Sequence, residues 1–187
     1  MPAGWALVAL MGWAVAALAA PPSEPGSFEL EREGEVFNVK AEALLAARPE
    51  EVWQVLTDYD HIARFVPGMS SSRVIEGPDA SADHSLVVEQ KGALGWSLLP
   101  LDFVVDLRVT EHPLVRIDIE RIAGSGRQYR AVYLIEAVDS RQTRLEFRAL
   151  IESDRFIPPL LGTQVLRSSL SKQFDALLRE VERRHVP

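Results

Sequence analysis

The side chains able to do chemistry are few and scattered. The four histidines, His61, His84, His112 and His185, fall in separate elements without the spacing of a metal site, so no metal is expected. Asp58 and Asp60 could suggest acid–base work, but capping a short helix explains them more simply. Asp102 and Asp106 share the polar face of a strand pattern and read as solvated. No G-x-S-x-G elbow, P-loop or dinucleotide fingerprint occurs, Gly124-Ser125-Gly126 reads as a turn, and no cofactor is expected. The chain has no cysteine. That excludes disulfides, thiolate zinc sites, a cysteine nucleophile and lipid attachment through an N-terminal cysteine. More informative are Tyr129, Tyr133 and Gln90, each of which brings a polar group to a mostly apolar strand face. A buried hydroxyl or amide needs a partner, either a ligand carbonyl or a neighbouring backbone group.

The faces carrying those groups form the main candidate site. Leu86, Val88, Phe103, Val105, Leu107, Ile117, Ile119, Tyr129, Tyr133 and Phe147 either line a pocket opposite Leu170 and Phe174 or simply pack as core. The connection over residues 92–100 is unusually apolar, with Trp96, Leu98 and Leu99. It reads as a lid or membrane-touching access loop, or else as a sheet-edge loop folded over the core.

The elements that must position these groups follow from periodicity. Phe37, Val39, Ala41, Ala43 and Leu45 alternate with polar residues, which predicts a half-buried strand. Pro49 suits a first helical position, and Glu50 and Glu51 suit the positive end of the helix dipole. Val52, Val55, Leu56, Tyr59, Ile62 and Phe65 or Val66 recur at helical spacing, giving a pair of short helices that ends at Pro67-Gly68. Alternating stretches at 72–76, 86–91, 103–109, 115–119, 129–135 and 145–151, separated by regular turns, predict an antiparallel meander. Pro158-Pro159 opens the longest helical pattern, with Leu166, Leu170, Phe174, Leu177 and Val181 on one stripe. The expectation is an α+β fold: a curved antiparallel sheet of about six to seven strands, with one long C-terminal helix over its concave face. One helix is too narrow to cover so wide a sheet, which leaves room for a cavity.

The chain has 187 residues, the size of one domain, and a net charge of −7. Its basic residues are interspersed with acidic ones, which argues against nucleic acid as a partner. Residues 1–20 carry no charged side chain and end in small residues, predicting a signal peptide over 1–19. The n-region lacks Lys or Arg, and the apolar run approaches bilayer-spanning length, so a retained membrane anchor is the alternative. Either reading places the body outside the cytoplasm, in the periplasm or beyond the cell. Residues 20–34 are rich in Pro and Glu and read as a tether or loose first strand, with the domain proper over 35–187.

In this order of elements, the stretch ARPEEVWQVLTDYDHIARFVPGMSSSRV, VVEQKG at 87–92, TRLEFRALI at 143–151 and the Pro-led helix ending in LLREVERR resemble the START-like (SRPBCC) superfamily. The likeness is nearest the coenzyme-Q-binding START-type and polyketide cyclase branch, and it covers residues from about 35 onward. It implies the helix-grip fold and a hydrophobic ligand, such as a lipid or quinone, held between sheet and C-terminal helix. It implies no shared catalytic residues. The expected function is therefore an exported, non-enzymatic binder or carrier of a hydrophobic small molecule, with transient membrane contact. A cyclase or aromatase on the same fold, or a protein-docking module with a filled cavity, are the alternatives. The oligomeric state is left open.

Overall fold

The computed structural model describes residues 26–77, 85–96, 99–154 and 156–185. The leader over 1–19, His84 and Leu98 lie outside them.

Eight antiparallel strands form one sheet: β1 (Ser27–Glu33), β2 (Val36–Leu45), β3 (Met69–Glu76), β4 (Ser85–Trp96), β5 (Leu99–His112), β6 (Arg116–Gly124), β7 (Gln128–Ala137) and β8 (Thr143–Glu152). Their spatial order is β1-β2-β8-β7-β6-β5-β4-β3. The first half of the chain thus supplies both edges, and the long helix α2 (Pro159–Arg184) lies across the concave face. Helix α1 (Pro49–Leu56) and a single 3₁₀ turn, Ile62–Arg64, bridge β2 to β3. This is the expected α+β helix-grip fold with one strand more than anticipated. The extra strand is β1, which pairs with β2 from Ser27↔Glu42 to Glu33↔Val36. Leu30 turns inward and is buried, while the acidic residues face out, so a Glu-rich stretch makes an edge strand.

Helix α1 begins as its sequence dictates. Pro49 is its first residue, Arg48 N donates to Glu51 Oε2 at 2.7 Å, and Val52, Val55 and Leu56 are buried. Asp58 and Asp60 do not cap the second turn. Asp58 Oδ2 accepts from Arg184 Nη2 at 2.7 Å, and Asp60 Oδ1 accepts from Val74 N at 2.9 Å. A single 3₁₀ turn exposes too few amide donors to hold them, and α2 and β3 offer stronger partners.

Residues 92–96 and 99–100 of the apolar stretch are strand rather than loop. β4 continues to Trp96 and β5 starts at Leu99, with Leu94↔Leu101 and Trp96↔Leu99 in register. Gly92 makes this extension possible. A side chain there would run into Gly68 O and the Phe103 ring, and Ala93 N donates to Gly68 O at 2.7 Å. Gly68 has φ +79, a left-handed conformation that favours glycine.

The core runs through β2, β8, α1 and the end of α2, where Phe37, Leu45, Val52, Val55, Leu145 and Val181 are fully or almost fully buried.

Candidate functional site

The inward face of the β4–β5 hairpin is a ladder of cross-strand pairs: Leu86↔Val109, Val88↔Leu107, Gln90↔Val105, Gly92↔Phe103 and Leu94↔Leu101. It is apolar at every rung except the one holding Gln90, and Gly92 leaves one position without a side chain. The facing strands contribute Tyr129, opposite Ile151, and Tyr133, opposite Phe147. The Tyr133 and Phe147 ring centroids lie 4.7 Å apart, and Phe147 stacks at 6.3 Å on Phe174 of α2.

Between these faces and α2 lie two adjoining chambers. The inner one, of about 100 Å³, is closed off by Leu56, Tyr59, Ile62 and Val66 from the α1 region and by Phe174 and Leu177 from α2. The outer one, of about 190 Å³, opens between the hairpin end (Leu94, Leu101, Phe103), the end of β8 (Ile151, Glu152) and α2 (Leu166, Leu170, Gln173). Met69, Gln90, Leu107, Tyr129, Leu170 and Gln173 line both. The outer volume exceeds the ~150 Å³ of an apolar cavity that holds benzene.

Of the residues singled out from the sequence, Val88, Gln90, Leu107, Ile119, Tyr129, Tyr133, Phe147, Leu170 and Phe174 line the inner chamber. Phe103 and Val105 join Gln90, Leu107, Tyr129 and Leu170 in the outer one. Leu86 and Ile117 line neither and are buried in the core. Trp96 and Leu99 are in register at the hairpin end. The hairpin is tied to α2, since Gly95 N donates to Ser169 Oγ at 2.9 Å.

Sequence reasoning missed Met69, Leu101, Gln128, Ile157 and Gln173. Gln173 follows Leu170 by three positions and so shares its helical face, a signal present in the sequence. Its Nε2 donates to Pro67 O at 3.1 Å, tying α2 to the loop before β3. Ile157 sits in the Pro-rich connector to α2, which Arg32 of β1 holds by donating to Ile157 O at 2.9 Å. Only the fold brings these two stretches together.

The polar groups of the cavity separate by depth. Asp102, Glu152 and Asp154 stand at the outer chamber, and Glu152 is 3.5 Å from Arg127. Deeper in, Tyr59 Oη donates to Glu111 at 2.8 Å, whereas Tyr129 and Tyr133 have no such partner among the described residues. Burial pushes the Tyr129 hydroxyl up to about 12. Burial, reinforced by Tyr129 nearby, pushes Tyr133 higher still. Both phenols are neutral donors at any physiological pH. Among the described residues no cluster of His, Asp or Glu could hold a metal ion. His61, His112 and His185 instead face Asp58, Asp118 and Glu51.

Residues 45–178 match the family model for polyketide cyclase/dehydrase and lipid transport. The chain belongs to this family. The match takes in every cavity residue named above, and the START-like assignment drawn from the sequence holds. Among solved structures the fold is similar to a START superfamily protein from Mycobacterium smegmatis, with TM-score 0.64, 14% identity and coverage of 78% of this chain and 97% of that one. It is also similar to the Zhui aromatase/cyclase from Streptomyces sp. R1128, with TM-score 0.61, 17% identity and coverage of 80% and 95%. A STAR-related lipid transfer protein from Xanthomonas axonopodis gives TM-score 0.61, 13% identity and coverage of 83% and 98%. At these identities the likeness is one of fold. No curated protein matches the chain in sequence.

Proposed function

We propose that the protein is a non-enzymatic binder or carrier of a hydrophobic small molecule, held between the sheet and α2. The observation that carries this reading is the two-chambered cavity, whose inner part is walled by apolar and aromatic side chains and contains no carboxylate or imidazole among the described residues. A filled cavity, as a pure docking module would have, is not what these volumes support. A cyclase needs a group that can give or take a proton at the reacting carbon. The phenols, held protonated, cannot take a proton, and the carboxylates stand at the outer chamber. Affinity then comes mainly from apolar area removed from water, roughly 25 cal/mol per Å² before binding costs are subtracted.

The likeness to a lipid transfer protein and to an aromatase/cyclase is consistent with a cavity for apolar molecules. The apolar run over residues 1–20 supports work outside the cytoplasm, by export or by anchoring. Phe156, 75% exposed in the connector beside the outer chamber, supports transient contact with a bilayer from which the ligand is drawn.

The test is mass spectrometry of organic extracts from the full chain, purified from the envelope of its host without detergent. A stoichiometric quinone, lipid or other apolar molecule is the expected result. An empty protein that also takes up no member of a lipid and quinone panel overturns the reading. Tyr133→Asp or Phe103→Asp is expected to abolish capture, and unchanged capture by a folded variant counts against this cavity as the site.

A further inference from the structure

The two chambers differ in polarity in a way that selects among hydrophobic ligands, an inference that rests on the binding function proposed above. The outer chamber carries Asp102, Glu152 and Asp154, and among the described residues no Lys, Arg or His lines either chamber. Arg127 neutralises Glu152 from outside the lining, which leaves Asp102 and Asp154 without a counter-charge among the described residues. A carboxylate or phosphate head brought here meets like charge, and one brought deeper is stripped of water with no cation to meet it.

The deep groups make the opposite demand. Tyr129 and Tyr133 each hold a hydroxyl without an acceptor among the described residues, and Gln90 presents a side-chain amide where both chambers meet. Paired with Gln90, Ser72 Oγ is buried with no hydrogen-bond partner among the described residues, though Ser72 lines neither chamber. The two phenols open onto the chamber with no acceptor among the described residues, and a ligand oxygen would supply one. The chamber around them is about 100 Å³ and otherwise apolar. It fits a compact ring or short chain end.

The geometry points to an uncharged ligand bearing a carbonyl oxygen, such as a ketone, ester or quinone, which enters carbonyl first and accepts hydrogen bonds from Tyr129 and Tyr133. Free fatty acids and other anionic amphiphiles are excluded by the same arrangement. Tyr129, Tyr133 and Gln90 are then the specificity-determining residues, and Asp102 and Asp154 are the filter at the mouth.

Three probes of similar shape separate these contributions: acetylnaphthalene, ethylnaphthalene and naphthoate, titrated calorimetrically into the full chain at neutral pH. Acetylnaphthalene is expected to bind about tenfold or more tighter than ethylnaphthalene, the size of one or two net hydrogen bonds, and naphthoate is expected to bind weakest. Tyr129→Phe with Tyr133→Phe is expected to erase the advantage of the ketone while leaving ethylnaphthalene bound as before. Retained ethylnaphthalene binding also shows that the variant is folded. Asp102→Asn with Asp154→Asn is expected to strengthen naphthoate binding several-fold and leave the ketone unchanged. Equal affinity for ketone and hydrocarbon in the unmodified chain overturns this inference while preserving the binding function. Naphthoate binding more tightly than the ketone overturns it as well. Failure of all three to bind overturns both.

Discussion

The two halves of α2 do opposite things with the same helix. As far as Leu177 it lies over the cavity, where Leu166, Leu170, Gln173, Phe174 and Leu177 touch the chambers. Its last two turns, from Leu178 on, line neither chamber. Val181 is fully buried, and Glu180 is 7% exposed and accepts from Arg183 at 2.7 and 2.6 Å and from Arg184 at 2.7 Å. Arg184 continues to Asp58 at 2.7 Å and lies over the Phe65 ring, and His185 faces Glu51 at 3.1 Å. The helix is thus anchored at its end by packing and charge, and spans the sheet with incomplete packing at its start. Room for a ligand exists where the helix is too narrow for the sheet. The stability to tolerate that room comes from the anchored half.

Substitutions along α2 test this division, and the largest effect on stability is expected where the halves meet. Phe174 is buried, stacks on Phe147 and closes the inner chamber. Phe174→Ala is expected to cost about 3 kcal/mol in urea unfolding, because it deletes a ring from a packed stack and enlarges a void. A cost below about 1 kcal/mol would mean that the inner chamber is already as loose as the outer.

Next comes the anchor. Glu180→Ala removes the acceptor shared by Arg183 and Arg184, and is expected to cost about 1–2 kcal/mol with ligand affinity unchanged. Loss of affinity equal to that from a cavity substitution would show that the two halves are not separable.

The anchor also sets an acid limit. The bond from Arg183, helped by Arg184 and opposed by burial, holds Glu180 down to about 2 from an ordinary 4.5. For Asp58 burial works the other way, but Arg184 and His61 prevail and its value is also lowered. Groups with depressed folded values bind more protons when unfolded, so their stabilisation is complete above about pH 4.5 and is lost as pH falls towards 2. Unfolding curves across that range are expected to show stability falling with acidity in the unmodified chain and a shallower fall in Glu180→Gln. Parallel curves would remove Glu180 from the anchor.

Much of this was legible in the sequence, for identifiable reasons. The strand alternations at 36–45 and 143–152 and the stripe from Leu166 to Val181 depend on burying one face, so their periods show through. β1 was legible only as one alternative, a tether or loose first strand, because an edge strand with a solvated face can be mostly charged: in SFELERE only Leu30 is buried. The β4–β5 extension was hidden because Gly92, Gly95 and Pro100 look like turn residues. In the fold Gly95 and Pro100 simply face each other near the hairpin end. The cavity was only half legible. Inward faces follow from alternation, but which inward residues meet a void depends on how far one helix reaches. Ile117 and Ile119 look equivalent in sequence, yet Ile117 is core and Ile119 lines the inner chamber.

The smallest effect on stability is expected at Leu170, and it sharpens the contrast most. Leu170 is only partly buried and lines both chambers, so much of its side chain already faces space rather than packed neighbours. Removing it forfeits few contacts. Leu170→Ala is expected to cost about 1 kcal/mol, at or below the low end for a leucine truncation. A ligand in the cavity, by contrast, would rest against that leucine, and losing the contact is expected to weaken acetylnaphthalene binding about tenfold. Phe174→Ala and Leu170→Ala then form a pair on one helix face, separated by one turn. The first changes folding more than binding, and the second changes binding more than folding. If Leu170→Ala destabilised as much as Phe174→Ala while leaving affinity intact, α2 would be packed evenly along its length and the ligand would have to be sought elsewhere.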